Sequence, residues 1–214
     1  MAEYKQAFVV GGWSEDHDFL EGLTDAVSGG PHRIVENADS VTLAKALHDD
    51  YKWNLRFKDA MVIAHSAGMM AVHDAGIVVA LNGVEPTPLL ATIQGGKRVA
   101  LEGNITPDDE HVIPTGLTNG LFEVLRHPII SAKIPFRVRD FSTIRQMIIY
   151  KRHFPDGRIY LPTTDDEFGF GHHGEVDKAR QHGILAEMVP GYHNQHLLRP
   201  QEGAKLIKNK LNEL

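Results

Sequence analysis

The chain has 214 residues, of which 42% are hydrophobic and 23% charged, with no cysteine and a formal net charge of -6 from 22 Lys+Arg against 28 Asp+Glu. That length and composition fit one large globular domain with a real core, and the acidic balance argues against wrapping nucleic acid or lying on an anionic membrane. The absence of cysteine excludes disulfide scaffolds, zinc-thiolate sites, iron–sulfur clusters and a cysteine nucleophile.

The amino-terminal segment carries an acid, Glu3, and leads only into the short apolar run Ala7 to Val10. A signal peptide needs a basic start and roughly 7–15 apolar residues. The longest apolar runs, Met61–Ala64 and Ile77–Leu81, fall far short of the ~20 residues of a membrane span. The expectation is a soluble, cytoplasmic protein with no membrane and no nucleic-acid partner.

In chain order, short apolar runs end in small-residue turns and lead into stretches with helical spacing, the rhythm of a parallel sheet with crossover helices. Ala7–Val10 ends at Gly11-Gly12, and Phe19, Leu20, Leu23 and Val27 then recur at helical intervals. His32–Val35 precedes a possible N-cap at Ser40 and a helix through Leu43, Ala44 and Leu47 towards Trp53. Ala60–Ala64 runs into a small-residue helix start at Ala67, and Ile77–Leu81 ends near Asn82-Gly83. From about Glu85 to Pro155 the rhythm breaks, with scattered proline and two helical stretches, Leu117–Arg126 and Phe141–Arg152. It resumes at Arg158–Leu161 and Ile184–Val189, and a helix from about Pro200 to Leu211 closes the chain. The expected fold is α/β, with a mostly parallel sheet of about six strands between two helical layers. Residues 1–214 form a single domain carrying an insertion at about 85–155.

The segment from Asp59 to Met70 carries the strongest chemical signal. An apolar strand runs into His65-Ser66, and the residues two before and two after the serine, Ala64 and Gly68, are small. A serine on a tight strand-to-helix turn needs such neighbours, because they face each other closely. The segment resembles the nucleophile elbow of the α/β-hydrolases, although that family has Gly where Ala64 stands. The family order is serine, acid, histidine, each after a successive strand, and this chain keeps it. Asp165 and Asp166 follow the strand Arg158–Leu161, and His193 and His196 follow Ile184–Val189.

The resemblance therefore implies a catalytic triad of Ser66, Asp166 and His193, with Asp165 and His196 as alternates. His193 is favoured by its Gly191-Tyr192-His193 context and Asp166 by the following Glu167. The resemblance further implies an oxyanion hole from the backbone N–H of Ala67 and a second N–H from Trp13 or Gly12. The insertion stands where relatives carry a helical cap. Phe122, Leu125, Ile129, Ile130, Phe136 and Ile144 lie there, to line an acyl pocket or fasten the cap, and Arg137, Arg139 and Arg145 are available to an anionic substrate.

The implied activity is that of a serine hydrolase cleaving carboxylic esters or related acyl compounds through an acyl-enzyme on Ser66, without cofactor. The alternatives are a non-catalytic small-molecule binding protein of the same fold and a cofactor-free perhydrolase. Neither His172-His173-Gly174-Glu175 nor Asp16-His17-Asp18 has the helical i, i+4 ligand pair of a metal motif, so no metal is expected.

Overall fold

The structure, a computed structural model, describes residues 6–12, 15, 17–28, 34–38, 55–88, 90–91, 94, 104–105, 111–112, 141–166 and 172–214. Trp13, the expected helices near Ser40–Trp53 and Leu117–Arg126, and the cap residues Phe122, Leu125, Ile129, Ile130, Phe136, Arg137 and Arg139 lie outside these.

The chain runs β1 (Gln6–Val10), α1 (His17–Ser28), β2 (Ile34–Ala38) and β3 (Leu55–His65). A six-residue 3-10 stretch, Ser66–Ala71, leads directly into β4 (Val72–Leu81). The short strands β5 (Asn104–Ile105) and β6 (His111–Val112) pair antiparallel by themselves. Then come α2 (Thr143–Ile149), β7 (Gly157–Leu161), α3 (His172–Gln181), β8 (Leu185–Ala186), α4 (Gln195–Leu198) and α5 (Pro200–Leu211).

Six strands form one sheet in the order β2-β1-β3-β4-β7-β8, every pair parallel. Successive side chains of a strand point to opposite faces, and the sheet is apolar on both. Val9, Met61, Ile63, Val79, Leu81 and Ile159 pack on one face with Leu20, Leu23 and Val27 of α1 and Ala204 and Ile207 of α5. Val10, Val62, Ala64, Val78, Ala80 and Tyr160 pack on the other with Ile144 and Met147 of α2 and Val176 and Ala179 of α3. The result is a three-layer α/β/α arrangement.

Two expectations change here. The elbow leads into the 3-10 stretch rather than a longer helix, and β4 begins at Val72, five residues before the apolar run that marked it. The helix expected at Phe141–Arg152 within the insertion is α2. Ile144 and Met147, both fully buried, set it against the sheet as part of the core layer.

Register places the functional edge. Val10 pairs with Ala64, Ala64 with Ala80, and Leu81 with Leu161, so four central strands end side by side. The chain leaves β1 towards β2 on one flank and returns to β3 on the other. Ligands of open parallel sheets bind outside the carboxyl ends of the strands at such a reversal, here between the loops that follow β1 and β3.

Candidate active site

Ser66 is the first residue past β3 and holds a φ of 51°. For a residue with a side chain this left-handed conformation costs about 1–2 kcal/mol, and it persists only where the surroundings over-determine it. They do so here through glycine. A Cβ on Gly68 would come within 2.6 Å of the Gly11 carbonyl oxygen, and one on Gly12 would lie 2.8 Å from Cβ of Ser66. The two turns at the ends of β1 and β3 thus touch backbone to backbone, and Ser66 stands half-buried between them.

The loops after β7 and β8 are laced together by main-chain bonds. Val189 donates to the Pro162 carbonyl at 2.8 Å, Thr164 to that of Val189 at 3.0 Å, and Asp165 to that of Gly191 at 3.0 Å. Gly191 has a φ of 129°, a region that favours glycine. This lacing brings Asp166 against His193, whose Nδ1–H donates to Asp166 Oδ2 at 2.6 Å, with the two side chains 2% and 3% exposed. The His193 ring stands edge-on to that of His65, centroids 5.0 Å apart, beside the residue that precedes Ser66.

The alternates sit differently. Asp165 is exposed and accepts from the hydroxyl of its neighbour Thr164 at 2.6 Å. His196 is buried beneath the site, where Nε2–H donates to the Leu161 carbonyl at 3.0 Å. Burial, together with the nearby His65, pushes its pKa down from 6.5 to about 3, so the ring is neutral and already bonded.

Of the oxyanion candidates, Ala67 follows Ser66 at the start of the 3-10 stretch and is buried. The N–H of Gly12 is committed elsewhere: it donates to Glu15 Oε2 at 2.5 Å. Gly12 shapes the turn but has no free donor. The other expected donor, Trp13, lies outside the described residues.

Three polar residues that sequence reasoning did not single out complete the site. Glu15 Oε1 lies 2.6 Å from Nδ1 of the fully buried His65. His65 Nε2–H donates to the main-chain carbonyl of His193 at 3.0 Å, and the side-chain amide of Asn82 donates to the same oxygen. Asn82 Oδ1 in turn accepts the Thr163 N–H at 2.5 Å, which fixes the amide's orientation. Only the position of His65 directly before the serine hinted at this network. Among the described residues no group of three His, Cys, Asp or Glu is placed to hold a metal ion, and Glu175 pairs with Lys178 at 3.0 Å on α3.

No protein-family model and no curated protein matches the sequence. Solved structures match over nearly the whole chain. A hydrolase from Oleispira antarctica superposes with a TM-score of 0.60 at 9% identity, covering 99% of this chain and 92% of that one. A serine hydrolase involved in carbazole degradation gives 0.58 at 13% identity, covering 98% and 92%. The chain has the α/β-hydrolase fold. A third structure of this fold, proline iminopeptidase of Mycobacterium smegmatis, gives 0.56 at 15% identity, covering 97% and 89%. Within this hydrolase fold no helix among the described residues is long and apolar enough to cross a membrane.

Proposed function

We propose that the protein is a serine hydrolase that cleaves carboxylic esters or related acyl compounds through an acyl-enzyme on Ser66. The observation that carries this reading is the buried Asp166–His193 pair at 2.6 Å, held at the same sheet edge as a serine with a left-handed backbone. The similar solved structures, described as hydrolases, support it.

A serine hydroxyl is a weak nucleophile at neutral pH and needs a positioned base. With Nδ1–H given to Asp166, the His193 ring keeps Nε2 as its acceptor. Nε2 takes the Ser66 proton as Oγ bonds to the acyl carbon, and Asp166 stabilises the imidazolium that forms. The negative charge on the carbonyl oxygen falls to the N–H groups of Ala67 and Trp13. Collapse expels the alcohol with the proton from His193 and leaves the acyl-enzyme. Water then gives its proton to His193 and attacks the same carbon, releasing the acid and restoring Ser66. No step draws on a cofactor.

The deciding experiment is reaction of the folded protein with a fluorophosphonate probe followed by peptide mapping. Labelling at Ser66, lost in Ser66→Ala, is the expected result. A folded protein that takes no label is a binding module of the same fold, and the reading is then wrong.

A further inference from the structure

Glu15 and His65 stand outside the reaction steps, yet they are buried beside Ser66 and together touch two of its loops. One Glu15 oxygen accepts the Gly12 N–H at 2.5 Å, on the loop after β1. The other lies 2.6 Å from His65 Nδ1, and the far nitrogen of that ring donates to the His193 carbonyl at 3.0 Å. A backbone carbonyl can only accept, so Nε2 carries a proton. A 2.6 Å contact between Nδ1 and a carboxylate oxygen needs a second proton between them, since two lone pairs would repel. One proton between Nδ1 and the Glu15 oxygen satisfies both atoms and locks the ring in place.

We propose that Glu15 and His65 are positioning residues that couple the turn after β1, at Gly12, to the loop of the base. Glu15 holds the Gly12 N–H and so fixes the turn that packs against Ser66. His65, aided by Asn82, pins His193 by its main-chain oxygen, while Asp166 pins it by the ring. The base is thus fixed at both ends. A misplacement of about 1 Å at such a site costs on the order of a hundredfold in rate. The proposal rests on the serine-hydrolase reading above.

Two substitutions separate reach from charge. In Glu15→Gln the amide oxygen still accepts from Gly12, and the amide N–H donates to Nδ1 of a neutral His65 whose Nε2–H keeps its bond to His193. Every contact survives although the charge is gone. Glu15→Asp keeps the charge but is one methylene too short to hold Gly12 and His65 together. With p-nitrophenyl acetate as probe, kcat of Glu15→Gln is expected within about threefold of wild type. That of Glu15→Asp falls by about tenfold or more, with KM within about threefold. Asn82→Gly, which tolerates the positive φ at that position and removes the second donor to the His193 carbonyl, lowers kcat in the same way and gives an independent arm should Glu15→Asp not fold.

Wild-type rates in both Glu15→Asp and Asn82→Gly overturn the proposal. So does a loss in Glu15→Gln equal to that in Glu15→Asp, which assigns the role to charge. Fluorophosphonate labelling of wild-type Ser66, run alongside, distinguishes these results from failure of the hydrolase reading itself: without it both fall, and with it only the positioning role is at stake.

Discussion

His193 gives its Nδ1–H to Asp166 at 2.6 Å while the carboxylate of Asp165, one residue earlier, is exposed and accepts from the hydroxyl of Thr164. Neighbouring carboxylates thus make opposite predictions. Asp166→Asn preserves shape but favours the wrong imidazole tautomer, and in a well-studied triad that change costs roughly 10⁴ in kcat. Asp165→Asn removes a charge that water screens and is expected to change kcat by less than about tenfold. Steady-state rates with a short p-nitrophenyl ester decide it, and equal modest losses would place the orienting acid elsewhere.

The two histidines of the same loop divide between chemistry and structure. His193→Ala removes the proposed base and should leave activity near background. His196→Ala opens a cavity and removes one of the two donors to the Leu161 carbonyl, leaving the Asn82 N–H at 3.2 Å, so its cost is stability, roughly 2–5 kcal/mol for a large-to-small change in a core. Below the lowered melting temperature, its kcat should stay within about tenfold of wild type. The opposite ranking of the two rates would move the base to His196.

Much of this fold is legible in the residue string because strands buried on both faces read as unbroken apolar runs, as in Ala60–Ala64 and Ile77–Leu81. Their ends are not, because near their starts β3 and β4 carry polar residues such as Arg56 and Asp74, which pair with each other, and strand pairing rather than hydrophobicity keeps these two extended. The serine, acid and histidine stand out by order along the chain. The Glu15–His65 pair does not, since its partners are 50 residues apart and meet only once β1 and β3 are neighbours. Likewise, nothing local marks α2 as core rather than cap; its burial depends on Val78 and Tyr160 across the sheet.

The glycines of the site are predicted to be irreplaceable for steric reasons. In Gly12→Ala the new methyl meets Ser66 Cβ at 2.8 Å and Glu15 Oε1 at 3.0 Å, so the turn must shift away from the serine. The expected result is a folded protein with kcat reduced on the order of a hundredfold. Gly68→Ala directs its methyl at the main-chain oxygens of β1's last turn, which cannot move without the sheet, and is expected to lower the melting temperature as well. Wild-type kcat in Gly12→Ala would mean that the contact between these two turns is not part of the working site.

Two buried groups make the pH dependence of stability a test of the core itself. Glu85, at the end of β4, accepts from the Ser142 hydroxyl at 2.6 Å and from the Ile144 N–H at 3.0 Å at the start of α2. Burial pushes its pKa from 4.5 up to about 7 against those two bonds, with Glu175 raising it and Lys178 lowering it. The folded state therefore holds a proton that the unfolded chain has lost between these values, so this group makes stability fall as pH rises from 4.5 to 7. His196 acts with the opposite sign. Its pKa is pushed down from 6.5 to about 3 by burial and by His65 and His193, against the bond to Leu161, so its contribution is lost as pH falls from 6.5 towards 3. Between about pH 4.5 and 6.5 each group alone gives a slope of about 1.4 kcal/mol per pH unit, and in the wild type the two cancel. Urea denaturation across that window should show Glu85→Gln gaining stability over wild type with rising pH, by about 3 kcal/mol in all. His196→Gln should gain with falling pH. A difference curve for Glu85→Gln that stays flat from pH 4.5 to 7 would show that its carboxyl is ionised throughout, and that α2 is held by a charged cap rather than by a carboxyl that burial keeps neutral.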